Sequence, residues 1–241
     1  MMPAPASVCK MLWHERPAGG IFKKMNCLVT AGPTYENLDH VRRLTNFSTG
    51  RLGSELVNFL AGHGHNVTLL IGQQATWRGE RQAGRVETFT TTADLQARLE
   101  RWSGEPVDAV FHAAAVSDFR FGKIWLRSPA GELSEIKSGK ISTRAGTLMA
   151  ELLPTPKIIA SLRSLFPQAK LVGWKYEVDG DRAGALRAAE NQLRECLTDA
   201  CVANGPAFGH GFGLVTGAGK CVDISGAEEL FDRLEKFVRE S

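Results

Sequence analysis

Short apolar runs alternate with amphipathic segments along most of the chain, and this alternation limits its possible folds more than any other feature. Six runs have the length and composition of buried strands: residues 27–30, 66–72, 85–90, 108–116, 169–174 and 200–204. Residues 51–62, 91–102 and 182–197 lie between them and have helical character. Strands alternating with crossover helices predict an α/β fold, with a doubly wound, Rossmann-like and mostly parallel sheet.

Three further segments complete or interrupt this pattern. Thr155-Pro156 predicts a helix start, with the threonine as cap and the proline at the first helical position. Residues 213–224 are expected to form a hairpin, and residues 226–240 a closing amphipathic helix. The stretch 120–153 is long, polar and rich in Lys, Ser and Gly, which predicts an extended flap or dimerisation segment.

Composition excludes several classes of protein. Of the 241 residues, 43% are hydrophobic and 23% charged, and the net charge of +3 comes without a basic block, so we expect no nucleic-acid or membrane partner. Five cysteines without a C-x-x-C pattern indicate reduced thiols in a cytoplasmic protein. Residues 1–24 lack the apolar core of a signal peptide, so we expect a flexible extension before a single domain at 25–241.

The loop after the first strand is unusual for such a sheet. Residues 30–53 read "TAGPTYENLDHVRRLTNFSTGRLG", with about twenty polar residues before S-T-G-x-x-G, where a dinucleotide-binding protein would use a short G-x-G-x-x-G turn. Gly50 and Gly53 stand at the start of a helix, whose free N–H groups can bind phosphate. A helix cap, with one glycine for close packing, is the alternative interpretation.

Other polar residues fall at the carboxyl ends of predicted strands, where open α/β sheets bind ligands. Arg42 and Asn46 could bind carboxylate or phosphate, or be a solvated arginine and a turn asparagine. Asp118 could bind a metal or a ribose, or cap a turn, and Lys140 could be solvated surface. No nucleophile motif or Walker A loop is present.

The histidines predict neither a base nor a metal centre. His112 lies inside an apolar strand and is expected to be a core histidine with its hydrogen bonds satisfied. His63 and His65 flank a helix end without a third ligand near them in the sequence, so no metal site is assigned.

Taken together, five segments resemble the phosphopantothenate–cysteine ligase family of coenzyme A biosynthesis. They are "VTAGPTYENLDHVRRLTNFSTGRLG", "AAAVSDF", "KISTRAGTLMAELLPTPKII", "LVGWKYEVD" and "CVAN", in the family's order and spacing over about residues 25–240. The combination T-A-G-P-T…R-x-x-x-N-x-S/T-S/T-G-x-x-G is far more specific than a bare glycine pattern. Many bacterial members are fused to a flavin-dependent decarboxylase, for which this sequence has no room, so we expect a stand-alone ligase.

The resemblance implies a reaction that explains the long loop. The family activates 4′-phosphopantothenate with ATP or CTP and Mg²⁺, forms an acyl-nucleotide and transfers the acyl group to the amine of L-cysteine. No covalent enzyme intermediate is needed, in agreement with the missing nucleophile. One loop must then hold both a triphosphate and an acyl group, which a short dinucleotide turn could not do.

Roles for individual residues follow from the same resemblance. It implies nucleotide contacts from Gly32, Ser48, Gly50, Gly53, Lys140, Trp174 and Asn204, and substrate contacts from Ala114, Ala115 and Asp118. Asn46 would bind the acyl centre as a catalytic residue, and Lys140, in the K-I-x-x flap, would contact the transferred phosphates. The family is homodimeric, and Arg42 would reach the substrate phosphate in the other subunit's site.

The sequence departs from the bacterial pattern in two places. The flap reads Lys140-Ile141-Ser142-Thr143 rather than K-I-K-K. Gln192 and Cys196 occupy positions where bacterial members carry two lysines, whereas Lys175 in "GWKYEVD" resembles the F-K-L-E-T-D of eukaryotic relatives. The missing lysines favour ATP over CTP.

Two other functions remain open. A short-chain NAD(P)-dependent oxidoreductase would need a glycine-rich turn directly after Thr30, and usually a Tyr-x-x-x-Lys pair. Tyr35 and Tyr176 are followed four residues later by Asp39 and Gly180 instead. A non-catalytic, ligand-binding relative of the ligase is the other alternative.

Overall fold

The computed structural model of the chain describes residues 23–136, 139–142 and 146–240. The strands are β1 (Asn26–Pro33), β2 (Tyr35–Asn37), β3 (Arg43–Thr45), β4 (Asn66–Gly72), β5 (Arg85–Phe89), β6 (Ala109–Ala115), β7 (Phe119–Arg127), β8 (Leu133–Glu135), β9 (Thr147–Pro154), β10 (Lys170–Tyr176), β11 (Ala200–Asn204), β12 (Phe212–Gly217) and β13 (Lys220–Ile224). The helices are α1 (Arg51–Gly62), α2 (Thr92–Trp102), α3 (Ile158–Leu165), α4 (Arg182–Cys196) and α5 (Ala227–Arg239). Within the described ranges, no helix combines the length and apolar character needed to cross a membrane.

The predicted doubly wound sheet is confirmed. Eight strands are ordered β13-β12-β11-β10-β6-β1-β4-β5, and neighbouring strands are parallel except at β12, which pairs antiparallel with both β11 and β13. Chain order reverses direction between the neighbours β1 and β6, and such a switch point is where open α/β sheets form their ligand crevice. The site predicted from the sequence therefore lies beyond the carboxyl ends of these two strands.

Helices cover both faces of this sheet, as the continuous burial of successive residues in its central strands requires. On one face, α1 and α5 pack on the side of β1 that carries Val29. On the other face, α2 and α3 pack on the side that carries Leu28. The strands at the centre are apolar on both faces for this reason, which accounts for their continuous apolar runs in the sequence.

The inserted loop is a small hairpin rather than irregular chain. β1 continues to Pro33, three residues beyond its predicted end, and β2 then pairs with β3 in an antiparallel ladder. The Tyr35 N–H donates to the carbonyl of Thr90 (3.1 Å), and the carboxylate of Glu36 accepts from the N–H of Thr92 (3.0 Å). These bonds fasten the hairpin to the start of α2.

Residues 120–153, expected to be an extended flap or dimerisation segment, contain most of three strands. β7 pairs with β8 and with β9 to form a separate three-stranded antiparallel sheet, which we call the arm. Both faces of the arm are partly exposed, and charged residues interrupt its longer strands: Arg120 and Lys123 in β7, and Glu151 in β9. Its predicted role as a flap or interface remains a prediction, and Thr143 and residues 1–22 lie outside the described residues.

α3 begins two residues later than the sequence predicted. Its N-cap is Lys157, not Thr155, and no side chain caps it among the described residues. The hydroxyl of Thr155 donates to the carbonyl of Ser117, and the Thr155 N–H donates to the carbonyl of Asp118 (2.9 Å). The threonine therefore fastens the chain to the loop after β6 instead of capping a helix.

Candidate active site

The carbonyl of Ala115, at the end of β6, connects the segment after β1 with the loop before α1. It accepts hydrogen bonds from the Thr34 N–H (3.1 Å) and from the side-chain amide of Asn46 (3.0 Å). Thr34 is fixed in turn, because its hydroxyl oxygen accepts from the N–H of Ser117 (2.8 Å). The structure thus brings together Asn46 and Ala115, two residues that are 69 positions apart in the sequence.

Ala114 and Asp118 lie beside this junction. Ala114 pairs with Gly32 across the β1–β6 ladder, and its N–H donates to the hydroxyl oxygen of Thr30 (3.3 Å). Asp118 lies three residues after the end of β6 and directly before β7, and it is exposed to solvent. Its carboxylate is therefore accessible at the rim, where it could bind a ligand amide, hydroxyl or cation.

Two glycines form the wall between β1 and α1. Gly32 and Gly50 both have positive φ angles, of +77° and +75°. A Cβ at Gly32 would lie 2.9 Å from the Cβ of Ala75, and one at Gly50 would lie 3.3 Å from the Cα of Gly32. Only glycine allows both the conformation and this approach, so the backbone itself lines the crevice.

The amino end of α1 points its N–H groups toward this crevice. Gly50 is the N-cap, and the described residues supply neither a side-chain cap nor an acidic residue in the first turn. The first N–H groups of a helix have no partner within the helix and carry partial positive charge. This end of α1, next to Ser48, therefore suits an anionic group, as the glycine pattern predicted.

Arg42 forms its contacts within its own chain. Its guanidinium donates to the carboxylate of Asp39 (2.5 and 3.1 Å) and to the carbonyl of Ile141 (2.7 Å). The pKa of the Asp39 carboxyl lies well below its usual range, because Arg42 and neighbouring backbone N–H groups stabilise the charged form. Lys140 precedes Ile141 and is exposed, so the structure brings the Lys140 segment to the same hairpin as Arg42.

Trp174 and Asn204 lie on the far side of the switch point. Trp174 is in β10, partly buried against the core, and its indole N–H is buried without a hydrogen-bond partner among the described residues. Asn204 ends β11 opposite Tyr176. Both are at or near the carboxyl rim of the sheet: Trp174 is two strands from β1, and Asn204 is three. A ligand that contacted these residues and also β1 would have to be extended.

Gln192 and Cys196 do not reach the rim. Both are buried on the side of α4 that faces the sheet. The Gln192 amide donates to the thiol of Cys201 (3.2 Å), and a Cβ at Gly173 would lie 2.1 Å from the same amide nitrogen. In this chain these two positions fill the core, where a lysine ammonium would lack solvation.

His112 is a satisfied core histidine, as predicted. Its Nδ1 lies 2.8 Å from the hydroxyl oxygen of Thr30, and burial lowers its pKa to about 4. The ring is therefore neutral near pH 7 and stabilises β6 against β1 from inside the sheet.

No local sequence pattern indicates the partners of His63 and His65. Donor atoms of His63, Asp232 and Glu235 lie within 4.8 Å of one another, because α5 packs beside the end of α1. Glu235 already accepts from His65 Nε2 (3.0 Å) and from Arg239 (3.4 Å). This cluster lies at the amino ends of the strands, away from the rim, so we give it no part in the function proposed below.

Comparison with known proteins identifies the family. The DNA/pantothenate metabolism flavoprotein C-terminal domain matches residues 22–238. The chain belongs to this family. The match confirms the family resemblance seen in the sequence motifs.

Members of the DNA/pantothenate metabolism flavoprotein C-terminal domain family include bifunctional proteins. The chain is 33% identical over 220 residues to the coenzyme A biosynthesis bifunctional protein CoaBC of Thermococcus kodakarensis, covering 88% of this chain and 51% of that protein. The chain thus spans about half the length of the curated relatives that it matches over most of its own length.

Solved structures show the same fold. The DNA/pantothenate metabolism flavoprotein from Streptococcus pneumoniae superposes with a TM-score of 0.77 at 24% identity, over 90% of this chain and 99% of that one. A Cab2 variant in complex with phosphopantothenate-cysteine superposes with a TM-score of 0.66 at 19% identity, over 90% of this chain and 88% of that one.

Proposed function

We propose that the chain is a phosphopantothenate–cysteine ligase, which joins 4′-phosphopantothenate and L-cysteine through an acyl-nucleotide. The observation that carries the proposal is the hydrogen bond from Asn46 to the carbonyl of Ala115 at the switch point. It holds a loop amide beside the uncapped amino end of α1, so an acyl group and a phosphate can be bound side by side.

The names of two similar proteins support the same reaction. A coenzyme A biosynthesis protein matches most of this chain, and a structural neighbour was solved with phosphopantothenate-cysteine. Phosphopantothenate-cysteine is the product that the proposed ligase would release.

Each part of the site has a task in this reaction. The nucleotide phosphates would lie against Gly32, Gly50 and the first turn of α1, whose N–H groups stabilise negative charge without reorganisation. The amide of Asn46 retains a second N–H and its oxygen, which can orient the acyl group for attack by the cysteine amine. Catalysis then needs positioning and charge stabilisation, and no protein nucleophile.

Mg²⁺ would neutralise charge on the triphosphate. This ion commonly keeps several waters and binds through substrate phosphates and one or two carboxylates. The exposed carboxylate of Asp118 is chemically suited to such a role at this rim, but we assign the ion no fixed protein ligand.

We further propose that the active form is a homodimer. Large apolar side chains are exposed on the hairpin and the arm: Val41, Leu44, Phe47, Phe119, Met149 and Leu152. Phe47 is fully exposed between Asn46 and Ser48, where solvation of an aromatic ring is unfavourable. Clusters of this kind mark surfaces that become covered by a partner.

Neither alternative function accounts for the site as well. An NAD(P)-dependent oxidoreductase would have its pyrophosphate turn where this chain has the β2–β3 hairpin. A non-catalytic relative would have no need for an Asn46 amide fixed beside the helix end.

Pyrophosphate release tests the proposal. The purified chain is mixed with 4′-phosphopantothenate, L-cysteine, Mg²⁺ and ATP or CTP, and the condensed product is identified by mass spectrometry. We expect product only in the complete mixture. Nucleotide binding without product would support the non-catalytic relative, and reduction of NAD(P) by an alcohol substrate would support the oxidoreductase.

A further inference from the structure

Residues 139–142, which we call the Lys140 segment, dock on the turn between β2 and β3. The N–H of His40 donates to the carbonyl of Gly139 (3.0 Å), and the N–H of Ile141 donates to Asp39 Oδ2 (3.2 Å). Arg42 donates to the carbonyl of Ile141 (2.7 Å). Hydrogen bonds on both sides of Lys140 therefore fix its backbone on the hairpin.

Asp39 is at the centre of these contacts. Its side chain is only 1% exposed. Oδ1 accepts from the N–H groups of Val41 (2.9 Å) and Arg42 (2.8 Å), which shapes the turn. Oδ2 accepts from the Arg42 guanidinium and from Ile141, which is 102 positions away in the sequence. An aspartate that only shapes a turn needs no more than the two bonds to Oδ1. The bonds to Oδ2 therefore have a different structural role.

We infer that Asp39 is a positioning residue that fixes Lys140 and Arg42 relative to one another for the ligase reaction. The inference rests on the proposed function, because it needs Lys140 at the transferred phosphates. Asp39 itself touches no reacting atom in this account, and acts through the backbone of Ile141 and the side chain of Arg42.

The physical reason is the flexibility of lysine. Its four-carbon chain carries a point charge with many rotamers, so its ammonium is placed accurately only when its backbone is fixed. Ile141, next in sequence, is 4% exposed and bound through both its N–H and its carbonyl. Loss of Asp39 would free this backbone and release Arg42 from its orientation.

Asp39→Asn is the informative substitution, because it keeps the size of the side chain. An amide has one acceptor oxygen where the carboxylate has two, so it cannot serve both the turn and Ile141 while facing the Arg42 donors. Asp94→Asn is the matched control: Asp94 also accepts from a backbone N–H, that of Thr90 (2.8 Å), and pairs with an arginine, Arg98 (3.1 Å). Within the described part of the chain, the Asp94 carboxylate bonds to Thr90 and Arg98, around the start of α2, and not to the Lys140 segment.

The first measurement is a mutant cycle on the rate of acyl-nucleotide formation. We expect Asp39→Asn to slow this step by about 10²-fold, the scale of a small misplacement of a catalytic group, and Asp94→Asn to leave it near wild type. If Asp39 acts through Lys140 and Arg42, then Asp39→Asn should add little to the loss in a chain that already carries Lys140→Ala and Arg42→Ala. Losses that multiply in the combined variant, or a fully active Asp39→Asn, would overturn the inference.

The second measurement does not depend on catalysis. Amide-proton exchange at Ile141, followed by nuclear magnetic resonance, should be faster in Asp39→Asn and unchanged in Asp94→Asn. Unchanged exchange in both variants would overturn the inference even if activity were lost. A wild-type chain without ligase activity would refute the proposed function instead, and the exchange rates would still decide whether Asp39 holds the segment.

Discussion

Gly53 of α1 lies against Ala31 of β1, at a distance that leaves no space for another side chain. A Cβ at position 53 would be 2.6 Å from the Cβ of Ala31, far inside contact distance. Gly53 is also the third residue of the helix, where its N–H has no intrahelical partner. The same glycine thus lets the helix approach the sheet and presents a donor at its amino end.

Gly53→Ala should therefore destabilise the fold. Overpacking of this kind costs about 1–3 kcal/mol in the free energy of unfolding. Gly62→Ala in the same helix is the control, since a Cβ there meets nothing within 4 Å. We expect the control to be unchanged or up to about 1 kcal/mol more stable, because alanine favours a helix over glycine. Urea denaturation of both variants gives the comparison, and equal stability of the two would contradict it.

The main sheet was predictable from the sequence because its central strands are buried on both faces. Apolar runs such as residues 66–72 and 108–116 are stable as strands only where both faces of the sheet are covered. Helix α1 was predicted with its observed bounds. The arm was not predicted, since charged residues such as Lys123 and Glu151 interrupt its strands and both of its faces are partly exposed. Thr155 was misassigned because its hydroxyl binds the carbonyl of Ser117, a contact that no local pattern encodes.

The site was predictable only as a set of rim residues. The motif order indicated Asn46 and Ala115, but their hydrogen bond depends on the pairing of β1 with β6. Asp39 was missed, because an aspartate in a polar turn is unremarkable until its second oxygen is found to bind Ile141. Contacts between distant segments are a product of the tertiary fold, and a local sequence pattern does not carry them.

His112 should make stability depend on pH. Its pKa in the folded chain is about 4, against an ordinary value of 6.5, because burial disfavours the charged ring. Between these values the unfolded chain takes up a proton that the folded chain does not. The free energy of unfolding should therefore fall as pH is lowered from 6.5 to 4, by at most about 3 kcal/mol from this residue.

His112→Asn tests that dependence. Asparagine can keep a hydrogen bond to the Thr30 hydroxyl but does not titrate, so the difference in stability from wild type should shrink or reverse toward pH 4. His210→Asn is the control at an exposed position, and the difference between its free energy of unfolding and that of wild type should stay constant across this pH range. A constant difference between wild type and His112→Asn across this pH range would show that the ring is not held neutral.

ATP should support turnover at least as well as CTP. Gln192 and Cys196 stand where the family resemblance implies two lysines in bacterial members, and both are buried against the sheet. The measurement is kcat/KM for each nucleotide at saturating phosphopantothenate and cysteine. A tenfold preference for CTP, or about 1.4 kcal/mol in transition-state stabilisation, would contradict this prediction.

Mixed dimers should show whether Arg42 acts in the other subunit's site. Arg42→Ala and Asn46→Asp chains are each expected to be inactive alone. If Arg42 serves the neighbouring site, one site of each mixed dimer has both wild-type residues, and random mixing should recover about a quarter of wild-type activity.

The structure makes this experiment decisive, because Arg42 also binds Asp39 and Ile141 in its own chain. If that contact were its whole role, every site in the mixed dimer would lack one residue and no activity would return. Light scattering should give twice the chain mass for wild type and both variants. A fully active species of monomeric mass would refute the homodimer.

Asn46→Asp should fold normally and lose ligation. Asn46 is exposed in the loop before α1, so a change of amide to carboxylate leaves the core intact. A carboxylate cannot donate to the carbonyl of Ala115 or to a developing oxyanion, and it repels the nucleotide phosphates. Removal of one preorganised donor of this kind costs about 10²–10³ in rate.

The step at which Asn46→Asp fails identifies what the amide does. The experiment is a single turnover with labelled nucleotide, quenched at intervals and separated by chromatography. If the amide acts mainly on attack by cysteine, the variant should still release pyrophosphate and accumulate the acyl-nucleotide. Asn37→Asp adds the same charge to an exposed position of the same hairpin and should keep wild-type kinetics. Near wild-type ligation by a folded Asn46→Asp would show that the bond to Ala115 has no catalytic consequence.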